Sequence, residues 1–239
     1  MWKKFAIGNV VVLVVSVIIS CCFLFPARDA IADWVGYYEF AEFAADKTVR
    51  TMDEETELLA NKDHYIEAME EGKIGVHYDL EVYIGEVRWD GGPLQQGSMY
   101  QQSFWITDVV SGTAEAGRQI TLYMYGGFTV MNDEAVFIGT DLYKNVMKPG
   151  NTYLVFCEKL EYQDSDELVR YRVIPGLLNV LCLNQDDEPY RSNDEITDTW
   201  AQFSDRELLT DSNELISEFN ELKQAMFDKW GIDRTIYLN

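Results

Sequence analysis

The stretch YDLEVYIGEVRW, residues 78–89, decides the fold. Apolar and polar residues alternate along it, β-branched and aromatic side chains dominate, and Asp90-Gly91-Gly92-Pro93 follows. That is the pattern of a half-buried strand running into a turn. The same signature recurs at SFWITDVV (103–110), QITLYMY (119–125), residues 135–139, YLVFCEKL (153–160), and residues 168–174 and 178–183. Between these runs lie Ser111-Gly112, Gly126-Gly127, Pro149-Gly150 and Asp164-Ser165-Asp166, all turn chemistry. Short strands punctuated this way predict a closed or nearly closed antiparallel barrel of five to seven strands, or a sandwich.

On both sides of this region the period changes to that of a helix. Trp34, Tyr38, Ala41, Ala45, Thr48 and Met52 recur at three- and four-residue steps, predicting a juxtamembrane helix. A second, short helix is predicted over 63–71, ended by Gly72. Beyond the strands, Ser204-x-x-Glu207 reads as a capping box. Leu215, Ile216, Phe219, Leu222, Met226 and Trp230 form one apolar stripe, and Gly231 stops it. The stripe predicts a helix docked on the barrel, and residues 232–239 predict a short edge strand. The fold class is α+β, organised as an N-terminal segment (1–28), a juxtamembrane helix (29–62), a barrel domain (63–200) and a C-terminal helix with tail (201–239).

Residues 5–25 contain no charge. Twenty-one helical residues reach about 30 Å, the thickness of a bilayer's hydrocarbon core. Lys3 and Lys4 precede the run, whereas Arg28 beyond it is followed at once by Asp29. The positive-inside bias therefore keeps the N-terminus in the cytoplasm and sends the C-terminal domain out as a single-pass cell-membrane protein. Three fates remain open for the segment. It is retained as a signal anchor, cleaved as a signal peptide after Ala32 in the small-x-small pattern Ala30-Ile31-Ala32, or lipidated at Cys21, where Ile18-Ile19-Ser20-Cys21 resembles a lipobox.

Without residues 1–25 the chain has 17 basic and 41 acidic residues, a formal charge of −24. Such a field repels phosphate backbones, which excludes nucleic acid as a partner class. Two of the four cysteines lie in the hydrophobic segment. Cys157 and Cys182 remain, either as a disulfide permitted by an oxidising compartment or as two buried thiols.

Tyr-Ile-Gly85-Glu-Val, the strand end Val109-Val110-Ser111-Gly112, and Lys148-Pro149-Gly150 leading into Tyr153-Leu154-Val155-Phe156 carry a resemblance. Over roughly residues 64–185 the chain resembles a domain of uncharacterised secreted and membrane-anchored bacterial proteins, and is similar to small OB-like barrels of the netrin/metalloprotease-inhibitor type. The resemblance implies the fold. The inhibitors' cysteine framework, with its reactive N-terminal cysteine, is missing from this sequence, so inhibition is not carried over with it.

No motif names a reaction, a cofactor or a metal. His64 and His77 stand in neither a HExxH nor a HxH pattern. Asp79, Glu81 and Glu86 alternate with apolar residues and are expected on the solvent face of a strand. Asp164-x-Asp166-Glu167 and Asp186-Asp187-Glu188 lack the glycine and closing glutamate of a calcium loop and are expected to be solvated turns. Aromatic residues are concentrated in residues 83–128. Trp89, Tyr100, Trp105, Tyr123 and Tyr125 are the candidates for a ligand face, since barrels of OB type present rings to ligands. The expected function is a membrane-anchored extracytoplasmic module that binds a protein or a cell-wall component. The alternative is a hydrolase, or hydrolase inhibitor, using surface carboxylates.

Overall fold

The computed structural model describes residues 37–52, 58–71, 79–88, 94–96, 99–131, 134–140, 143–160, 169–191 and 197–238. Residues 5–25, Cys21, the pattern at 30–32, His77, Trp89 and the acidic turn at 164–167 lie outside them. Among the described residues no helix is long and apolar enough to cross a membrane.

In chain order the elements are α1 (Tyr37–Ala44), β1 (Thr48–Val49), α2 (Lys62–Glu71), β2 (Leu80–Val87), β3 (Leu94–Gln96), β4 (Met99–Ser111), β5 (Gln119–Met131), β6 (Glu134–Thr140), β7 (Thr152–Lys159), β8 (Arg170–Val173), β9 (Val180–Cys182), α3 (Trp200–Phe203) and α4 (Asn213–Trp230). β2 pairs antiparallel with both β4 and β7, and β4 pairs antiparallel with β5. β5 runs parallel to β8, and β8 returns antiparallel to β7. The ring β2-β4-β5-β8-β7 is therefore closed, a five-stranded barrel with no free edge. β3 lies beside β4, β9 pairs with β7, and the far end of β5 carries β6 and then β1.

Alternation sorts the side chains of the ring. Tyr83, Tyr100, Phe104, Ile106, Leu122, Met124, Val155 and Tyr171 fill the interior. The outward residues of β2 and β7, Val82, Ile84, Leu154 and Phe156, are covered instead by Leu215, Phe219, Leu222, Met226 and Phe227 of α4. The apolar stripe is thus a docking face, with the Trp230 ring 5.3 Å from that of Phe156. At the end where β5 leaves the barrel, Phe40 of α1 sits about 6 Å from the rings of Tyr100, Phe128 and Phe137.

Several sequence expectations are corrected. The helix expected over 29–62 stops at Ala44 in its described part. Thr48 and Val49, both β-branched, pair instead with Val136 and Phe137, and the Val49 and Arg50 amides donate to the carbonyls of Asp198 and Phe137. Gly126-Gly127 is not a turn. Both glycines have positive φ (127° and 105°) and form a bulge at which β5 passes from its β4 pairing to β6. The cap of α4 is Ser212, whose side chain accepts from the Leu215 amide at 3.4 Å. Ser204 closes the short α3 instead, donating to the Ala201 carbonyl. The tail forms a single 3₁₀ turn, Arg234–Ile236, anchored where Arg234 Nε donates to the Leu183 carbonyl; it adds no strand.

Cys157 and Cys182 are buried free thiols. Cys182 stands opposite Tyr153, and Cys157 lies four residues further along β7. That offset is about 13 Å, whereas a disulfide needs Cα atoms within about 7 Å.

Candidate functional site

The outward side chains of β4 and β5 are not covered by α4. Gln101, Ser103 and Trp105 of β4, with Thr121 and Tyr123 of β5, are half-buried, and Tyr125 is 42 % exposed. The register fixes their order: Met99 faces Tyr125, Gln101 faces Tyr123, Ser103 faces Thr121 and Trp105 faces Gln119. β8 continues the surface, with Arg170 beside Thr121 and Arg172 beside Tyr123. On the other flank Glu86 faces Trp105, and the exposed Arg88 lays its guanidinium 3.7 Å from the centroid of the Trp105 ring. Stacking of this kind leaves a guanidinium's N–H groups directed to the ring's edge and beyond, available to a second partner.

Of the five candidate aromatics, Trp105, Tyr123 and Tyr125 share this face. Tyr100 does not. It is fully buried on the inward side of β4 against Phe40, and burial pushes its hydroxyl well above the usual range. One residue of strand parity separates the two outcomes, because Tyr100 is even-numbered where the others on β4 and β5 are odd. Trp89 lies outside the described residues.

Two polar clusters were not foreseen. The first is inside the barrel mouth. Glu81, expected on the solvent face, is buried and accepts from the Tyr83 hydroxyl, the Thr113 amide (3.2 Å) and the Thr113 hydroxyl (2.9 Å). Burial would raise its carboxyl, but these donors together hold it below its ordinary value. Asp79 and Glu86 are exposed as expected. The cluster pins the turn after β4 to β2, and it leaves no room for a side chain at Gly112, whose Cβ would stand 2.5 Å from the Tyr83 hydroxyl.

The second cluster joins α4 to the barrel. Glu207 Oε1 accepts from Lys144 Nζ at 2.6 Å and Glu207 Oε2 from Lys223 Nζ at 3.0 Å, with all three side chains buried. Lys223 also reaches the Gln185 carbonyl (2.8 Å) and Asp186 (3.0 Å), and Asp186 in turn holds Arg234 (2.9 Å). Asp187 is no solvated turn residue: its two oxygens accept from the amides of Glu207 (2.7 Å) and Leu208 (2.8 Å). Burial and the nearby Glu207 raise the Asp187 carboxyl. Burial acts the same way on Glu207, but Lys144 and Lys223 outweigh it and hold that carboxyl low. Two acids pushed apart in this way are a pattern seen in acid–base pairs. Here each oxygen is already engaged, and the adjoining cavity of about 20 Å³ holds little more than one water. The cluster is a structural clamp.

The two clusters together set a pH dependence. Glu207, Glu81 and Asp186 all have lowered folded-state values. The stability they supply is complete above their ordinary range, near 4 to 4.5, and is lost as the pH falls through the lowered values. Asp187, being raised, has the opposite sign. We expect urea midpoints to be flat from about pH 6 to 5 and to fall below about pH 4.5. The fall should be shallower in Glu207→Gln, and identical slopes would remove Glu207 from the explanation.

Among the described residues, no group of three or more His, Cys, Asp or Glu side chains is placed to hold a metal ion. Compared with known proteins, the chain matches no family model and no curated protein.

Proposed function

We propose that the chain is a membrane-anchored, extracytoplasmic binding module that presents the outer face of β4 and β5 to a protein or cell-wall partner. The observation that carries this reading is the half-exposed strip of Trp105, Tyr123 and Tyr125, with Arg88 stacked on Trp105, on a barrel whose neighbouring outer face is already closed by α4. Topology supports it. Counting only the ring, the strands lie in the order first, second, third, fifth, fourth, with the third and fifth parallel, which is the order of OB barrels. Barrels of that type take ligands on the face of their second and third strands, here β4 and β5. The compartment rests on the uncharged run 5–25 behind Lys3 and Lys4.

The alternative, a hydrolase or hydrolase inhibitor using surface carboxylates, is the weaker reading: Asp79 and Glu86 are exposed, Glu81 is tied to Tyr83 and Thr113, and the buried Asp187–Glu207 pair adjoins a cavity of about 20 Å³.

Crosslinking capture of the tagged full-length chain from its native membrane, against an anchor-only control, tests the proposal. A partner enriched over the control is expected, and Trp105→Ala with Tyr125→Ala should reduce its recovery about tenfold or more. Undiminished capture by the double variant would move the binding surface elsewhere.

A further inference from the structure

We draw no further inference here: the strongest candidate, the half-exposed strip of Trp105, Tyr123 and Tyr125 on the outer face of β4 and β5, belongs to the surface already proposed as the binding face, and nothing in the structure shows what covers it.

Discussion

Replacing Glu207 with alanine is expected to cost about 3–5 kcal/mol of folding stability, the largest loss from any single carboxylate described here. The Glu207 carboxylate binds both Lys144 and Lys223, and all three lie out of water. Removing it takes the shared carboxylate away from two buried ammonium groups. Lys144 keeps the Phe219 ring at 4.2 Å, and Lys223 the Gln185 carbonyl and the half-exposed Asp186. For a domain of this size the loss corresponds to a fall in Tm of roughly 6–20 °C. The converse follows from the same physics. Lys144→Met, Lys223→Met and Glu207→Leu together remove every desolvated charge of the triad, and should recover most of the lost stability. Urea denaturation of the two variants decides the matter. A Glu207→Ala loss below about 1 kcal/mol would mean that the lysines remain hydrated and that the cluster is not a clamp.

That clamp was not legible in the sequence, and the reason is physical. Glu207 lies three residues after Ser204, so local spacing casts it as a capping residue, and no local pattern could bring Lys144, 63 residues earlier, within hydrogen-bond reach. Asp186 and Asp187 read as a solvated acidic turn because a lone sequence does not show that amides and cations from α4 and the 205–208 segment converge on them. Glu81 was misplaced for a related reason: its strand is buried on both faces at that point, and alternation predicts burial only where one face is open. What alternation did predict, it predicted well. Strands β2, β4, β5 and β7 lie where period-2 runs occur, and the α4 stripe buries Leu215, Ile216, Phe219, Leu222 and Met226. On the outer face of β4 and β5 the aromatic cluster was visible as composition. Its division into outward Trp105, Tyr123 and Tyr125 and inward Tyr100 required the register. The arginines of β8 could not be joined to it from sequence, because the parallel β5–β8 pairing is long-range.

The second large effect is expected at Gly85. Gly85 sits inside β2 at a register shift, opposite Ile106, and the strand continues to Val87. A Cβ there would stand 2.7 Å and 2.8 Å from two ring atoms of Phe104 and closer still to the carbonyl oxygen of Trp105. The ring can turn away, but the carbonyl belongs to the backbone of β4 and cannot move unless the strand moves. Gly85→Ala should therefore cost about 3 kcal/mol, at the upper end of overpacking effects. The added variant Phe104→Leu should recover little of it, since it clears the ring and not the carbonyl. The displaced carbonyl is that of Trp105 itself. The substitution should consequently turn the Trp105 ring and the Arg88 stacked on it, and reduce capture of the membrane partner even where the protein remains folded. Measuring stability and binding together separates the possibilities. Loss of both ties the spacing of β2 and β4 to the outer face. A Gly85→Ala protein with normal stability would show that the two strands can slide apart at the bulge, and that the close approach at Gly85 is not what holds Trp105 in place.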